Sequence, residues 1–116
     1  MELKKISGNL TVSPQISVSD IAALKAGGFR SIICNRPDGE GADQPTFDEI
    51  EAAAKAAGIE TRYIPIKSGM VRDEDAEDFG KALDELPAPT LAYCRSGTRS
   101  ATLWSLSQAR KLPIAH

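Results

Sequence analysis

A thiol, two guanidinium groups, hydroxyls and a glycine fall within eight residues, "YCRSGTRS", Tyr93 to Ser100. Cys94 ends an apolar run, "TLAYC", and a helical pattern, "SATLWSLSQAR", opens within a few residues. A thiol at such a strand-to-helix turn meets inward-turned backbone amides and the positive end of a helix. That field favours the thiolate, the reactive form of cysteine. Gly97 allows a backbone conformation that a side chain resists. Arg99 offers a planar fork to a tetrahedral oxyanion or a sulfur-bearing anion. Ser100 can donate to the thiolate or to a departing sulfur. Arg95, Ser96, Gly97 and Thr98 make up the anion-binding loop. The alternative is a buried strand-end cysteine followed by a Ser/Gly turn, since free cysteines are usually core residues. The coincidence of strand, glycine, arginine, hydroxyl and helix favours the reactive loop.

Strands and helices alternate along the rest of the chain. "NLTV" reads as a short strand. Ser17 to Asp20 reads as a capping box opening a helix with Val18, Ile21, Ala22 and Leu24 on one face, stopped by Gly27-Gly28. "RSIIC" is a β-branched strand ending in Cys34. After the loop "NRPDGEGADQP", Thr46 to Glu49 is a second capping box, with Phe47, Ile50, Ala54 and Ala57 inward. "TRYIPI" is a third strand, whose Pro65 points to a strand end or a sheet edge. "KSGMVRDED" leads into a helix with Ala76, Phe79, Leu83 and Leu86 inward, ended by Pro87 and Pro89. The fold class expected is α/β: three layers, α/β/α, around a mainly parallel sheet of four to five strands. Ligands bind such sheets beyond the carboxyl ends of the strands. Cys34, Cys94 and the loops carrying Arg36, Lys67, Arg72, Arg95 and Arg99 therefore share one edge, and an anionic substrate is implied.

The 116 residues fit one domain, expected to span 1–116, with "KLPIAH" read as a natural end, the end of an excised domain or a C-terminal truncation. The net charge of −2 gives no support for a nucleic-acid or anionic-membrane partner. No run approaches a membrane span, and the N-terminus lacks an apolar signal core, so a cytoplasmic location is expected. Two cysteines make no disulfide framework, and the one histidine is the last residue, His116. A metal site or Cys-His dyad is therefore not expected, and no cofactor is called for.

"CRSGTRS" resembles the active-site loop of single-domain rhodaneses. "GFRSIICNRPDGE", "AAGIETRYIPI" and the Cys loop follow the order of the small dual-specificity phosphatases. Together they resemble the phosphatase-like domain of the beta-lactamase-hydrolase-like proteins, which the resemblance places beside a persulfide dioxygenase domain or protein. Phosphatases of that superfamily carry five residues between cysteine and arginine; Cys94 and Arg99 enclose four. The usual histidine before the cysteine is Tyr93. The shorter cradle suits a terminal sulfur better than a full phosphate.

The leading expectation is a sulfurtransferase. Cys94 takes a sulfane sulfur from thiosulfate or a small persulfide and passes it, through a Cys94 persulfide, to a thiol or sulfite. The alternatives are a phosphatase working through phosphocysteine and a non-catalytic thiol or persulfide sensor or carrier. A phosphatase needs an acid for its leaving group. Asp73 and Asp75 are the candidates, although "DEDAED" reads equally well as an acidic helix start. Asp38 and Glu40 read as turn-formers and partners of local arginines. Arg36 and Cys34 are supporting residues, Cys34 either as a second thiol for Cys94 or as core packing.

Overall fold

The structure is a computed structural model and describes residues 1–111. Five strands form one sheet in the order β1-β2-β5-β3-β4: β1 Lys4–Lys5, β2 Leu10–Ser13, β3 Ser31–Cys34, β4 Glu60–Tyr63 and β5 Thr90–Tyr93. All neighbours are parallel except β1, which pairs antiparallel with β2. The helices are α1 Ile21–Ala26, α2 Phe47–Ala56, α3 Asp73–Glu85 and α4 Thr98–Lys111. This is the expected three-layer α/β/α arrangement.

Alternation along the strands divides the core in two. Ile32, Cys34, Leu91 and Tyr93 face Ile21 and Leu24 of α1 and Phe47, Ile50 and Ala54 of α2. Leu10, Val12, Ile33 and Ala92 face Phe79 and Ala82 of α3 and Leu103 of α4. The inner strands β2, β3 and β5 are buried along their whole length, as a sheet covered on both faces requires.

Two expectations need correction. Ser17 to Asp20 caps a 3-10 turn rather than an α-helix, so Val18 is 44% exposed and Ala22 is exposed as well. Val18 lies in the tighter turn, and Ala22 lies in α1 on the side away from Ile21 and Leu24. The two-residue strand β1, with its exposed lysines, carries no apolar alternation and was not anticipated. Pro65 does fall beyond β4, and β4 is a sheet edge. The order places β5 between β2 and β3, so the chain returns to the centre of the sheet just before Cys94.

Candidate active site

Cys94 leaves the central strand with its neighbours fixed on both sides. The Asn35 amide donates to the Tyr93 carbonyl at 2.8 Å, and the Cys94 amide to the Ser13 carbonyl at 3.4 Å. The chain then turns through Arg95, Ser96 and Gly97 into α4, which starts at Thr98. Gly97 makes the turn possible. Its φ is +94°, and a Cβ there would stand 3.4 Å from the Ser13 carbonyl carbon and oxygen. In this conformation the Gly97 N–H donates to Cys94 Sγ at 3.0 Å.

The thiol is wholly buried, at 0% exposure. Burial alone would push it up, but the amides of Ser100, Ser96 and Gly97 and the Ser100 hydroxyl together hold it below the ordinary cysteine range. The hydroxyl has one proton, and Ser100 Oγ donates it to Asn35 Oδ1 at 2.8 Å. Asn35 Nδ2 in turn donates to the Ile64 carbonyl at 3.0 Å, which fixes the orientation of the amide. With that proton on Asn35, the backbone amides carry most of the stabilisation.

Arg99 sits at the far end of the loop and is 8% exposed. Its Nη1 and Nη2 bind both oxygens of Glu40 at 2.7 and 2.8 Å, and Nη1 also donates to the Ile66 carbonyl at 2.8 Å. Arg36 adds Nε to Glu40 Oε1 at 3.0 Å and Nη1 to Gln15 Oε1 at 3.1 Å. One carboxylate thus joins two guanidiniums, and the Arg99 and Arg36 side chains hold Glu40 below the usual carboxylate range. Gly41 leaves room for this: a Cβ there would lie 2.9 Å from Arg36 Nη2. The Arg99 guanidinium also faces Cys94, and Glu40 first, then Cys94, favour its charged form.

A cleft of about 390 Å³ opens over the loop, lined by Ser68, Gly69, Val71, Arg95, Ser96, Thr98, Arg99 and Thr102. The expected basic edge is therefore divided. Arg95 and Arg99 reach the cleft. Arg36 is drawn inward to Glu40 and Gln15, and Arg72 pairs with Glu74 and Asp75 at 3.5 and 3.3 Å.

Asp73 and Asp75, the candidate acids, and Asp38, read as a turn-former, are not among the residues lining this cleft. Asp38 Oδ1 accepts from the Phe47 N–H at 2.8 Å and so serves the start of α2. Asp73 is the exposed first residue of α3, two positions past Val71 of the cleft wall. Asp75 caps α3 by accepting from the Arg72 N–H at 2.9 Å.

Cys34 lies in register with Tyr93, one residue short of Cys94, and its Sγ donates to the Arg36 carbonyl at 3.3 Å. Burial pushes this thiol up. His116 lies outside the described residues. Among the described residues no group of three His, Cys, Asp or Glu could hold a metal, and no helix is long and apolar enough to cross a membrane.

Two residues of the site were not anticipated. Asn35 is a fully buried amide at the end of an otherwise apolar strand, and that position alone was a signal for a side-chain partner across the site. Gln15 carries no comparable mark. It binds Arg36 through its side chain and the Arg95 carbonyl through its N–H at 3.3 Å.

Residues 2–111 match the family described as "Beta-lactamase hydrolase-like protein, phosphatase-like domain". A beta-lactamase hydrolase-like protein of Agrobacterium fabrum is 37% identical over 109 residues, which are 94% of this chain and 25% of that protein. A second, from Xylella fastidiosa, is 33% identical over 108 residues and again only 25% covered. The chain thus spans about a quarter of the curated relatives it matches. A crystal structure of a candidate phosphatase from Neisseria meningitidis superposes with a TM-score of 0.89 at 34% identity, covering 97% of this chain and 81% of that one. The active form of Tk-PTP shares the fold at a TM-score of 0.64 and 18% identity.

Proposed function

We propose that this chain, which belongs to the phosphatase-like domain family of the beta-lactamase hydrolase-like proteins, is a cysteine-dependent phosphatase. The observation that carries the reading is the pairing, in one loop, of a thiol under three amides with a forked arginine. Cys94 thiolate attacks phosphorus, and the leaving oxygen departs with the electron pair of its bond. The loop amides and the Arg99 guanidinium meet the equatorial oxygens. Water then attacks the phosphocysteine, and Cys94 leaves as the thiolate. Glu40 and Arg36 hold the Arg99 fork in place, and Asn35 does the same for Ser100.

The test is hydrolysis of an aryl phosphate together with intact mass. Wild type releases phosphate and gains one phosphoryl group on rapid quenching; Cys94→Ser does neither. A wild type with no hydrolysis and no adduct overturns the reading.

Sulfur transfer, the leading expectation from the Cys loop, is kept as a second reading because two observations favour it. Cys94 and Arg99 enclose only four residues, and Cys94 is 0% exposed, so the cradle is small. The comparisons offer it no support. Thiosulfate with cyanide decides: thiocyanate forms only if Cys94 accepts a sulfane sulfur. The persulfide dioxygenase partner belongs to that reading alone and has no support in the comparisons either.

A further inference from the structure

A cysteine phosphatase that hydrolyses alkyl phosphates must hand a proton to the leaving oxygen, because an alkoxide is a poor leaving group. The donor must stand within hydrogen-bond reach of that oxygen, in the wall of the cleft. Among the described residues, none of the eight that line the cleft has a carboxyl group or an imidazole.

The nearby carboxylates are each engaged or displaced. Glu40 is bound on both oxygens by Arg99, shares one with Arg36, and is held in its charged form, the wrong state for an acid. Asp38 accepts the Phe47 N–H. Asp75 accepts the Arg72 N–H and is only 8% exposed. Asp73 is the exposed first residue of α3 and is not among the residues lining the cleft. Glu2 lines an adjoining groove that shares Ser96, Thr98 and Thr102 with the cleft, and is not among the residues lining the cleft itself.

From this placement, and resting on the phosphatase reading, we infer that the site takes phosphoryl donors whose leaving group departs unprotonated: aryl phosphates with acidic phenols, acyl phosphates and phosphoanhydrides. In the first step the S–P bond forms and the P–O bond breaks, and the leaving group carries the electron pair away as phenolate, carboxylate or phosphate. In the second step a water oxygen bonds to phosphorus and the S–P bond breaks. The electron pair returns to Cys94 Sγ, and the water protons stay with the phosphate or pass to solvent. Neither step draws a proton from the protein, and none is left over.

The experiment is a leaving-group series on the intact chain: aryl phosphates spanning acidic to weakly acidic phenols, with acetyl phosphate and an alkyl phosphate at the extremes. We expect kcat/KM to fall on the order of tenfold for each unit of leaving-group pKa, because no acid offsets the developing charge. Acetyl phosphate is turned over and the alkyl phosphate is not. Asp73→Asn and Glu2→Gln leave the slope unchanged.

A flat dependence overturns the inference while leaving the phosphatase reading intact. So does a slope that steepens in Asp73→Asn or Glu2→Gln, because it identifies the missing acid. Failure to hydrolyse any member, acetyl phosphate included, overturns the phosphatase reading and this inference with it.

Discussion

Replacing Arg99 by lysine keeps the charge and removes the fork, so it separates what the charge does from what the geometry does. In the folded chain the fork has a structural task besides ligand binding. It ties the β3–α2 loop, through Glu40, and the segment after β4, through the Ile66 carbonyl, to the start of α4. A single ammonium cannot meet all three acceptors. One oxygen of Glu40 turns to water, at small cost because a quarter of that side chain is exposed. The carbonyl of buried Ile66 has no such recourse. Hydrogen bonds to charged groups contribute about 1.5–3 kcal/mol and an unmet buried acceptor costs about 1–3 kcal/mol. Discounting for the exposure of Glu40, we expect Arg99→Lys to lose about 2 kcal/mol of stability. For a domain of this size that is a fall in Tm of about 8 °C. Turnover of an aryl phosphate should fall about a hundredfold or more, the usual result of removing a donor from an anion hole. Unfolding of Arg99→Lys, Glu40→Gln and the double variant isolates the clamp. A coupling below about 0.5 kcal/mol, the level of independent sites, would refute the reasoning about Glu40. Undiminished turnover in Arg99→Lys would remove the fork from the chemistry.

Ultraviolet titration of thiolate should show two separated steps, Cys94 below the free-cysteine value of about 8.5 and Cys34 above it. Cys94→Ser removes the lower step; a single step at or above the free value ends the amide argument. The sign for stability follows from the depressed pKa: the contribution of the Cys94 thiolate is complete above the ordinary thiol pKa and is lost as pH falls through the folded value. Activity should rise through that same lower value, and a profile that ignores it would disconnect Cys94 from turnover. Gly97→Ala should cost about 1–2 kcal/mol for a side chain at φ +94° and raise the Cys94 step, because the N–H over Sγ is displaced; an unchanged titration would show that this amide is dispensable. Mild peroxide should oxidise Cys94 at the same rate in wild type and Cys34→Ser, with no Cys34–Cys94 disulfide on peptide mapping. Recovery of that disulfide, reversed by dithiothreitol, would assign Cys34 a resolving role.

The layers of the fold were legible because each inner strand is a short apolar run and α2 opens on a capping box. Thr46 to Glu49 has its full effect: the Glu49 N–H donates to Thr46 Oγ1, and the Thr46 N–H to Glu49 Oε1, both at 3.2 Å. The same kind of signal misled at Ser17, because a cap fixes where a turn begins but not whether it winds as 3-10 or α. In the site, Cys94, Gly97 and Arg99 could be picked out because their chemistry is local to one loop. What joins them to the rest of the molecule spans long sequence separations: Glu40 to Arg99 is 59 residues, and Asn35 to Ser100 is 65. No spacing rule reaches so far. The assignment of Glu40 to local arginines was right about Arg36 but could not extend to Arg99. For Cys34 the sequence could bring the two strand ends to one edge, yet a shift of one residue in register decides which side chain sits opposite it. Here that side chain is Tyr93, on the α1 and α2 face of the sheet, and Cys94 lies one position further on.

The phosphoryl and sulfur readings differ less in the nucleophile than in what the wall of the cleft must supply. A thiolate under three amides, with a guanidinium beside it, can attack phosphorus or an outer sulfur, and its lowered pKa serves both reactions. The difference lies at the departing atom. An alkoxide needs a proton, whereas sulfite, a thiolate, a phenolate or a phosphate does not. On the inference above, a cleft lined by serine, glycine, valine, threonine and arginine would discriminate against the first kind of leaving group and admit the others. The spacing of Cys94 and Arg99 then acts as a second filter, on size rather than charge. Four intervening residues bring the amides close enough to leave the thiol no exposed surface, so a phosphoryl group must part them slightly while a terminal sulfur need not. Inserting one residue between Gly97 and Thr98 relaxes that filter without adding an acid. It should therefore raise kcat/KM for aryl phosphates while leaving its leaving-group slope steep. A slope that flattens on insertion would mean that loop width, and not the lack of a proton donor, sets the substrate class.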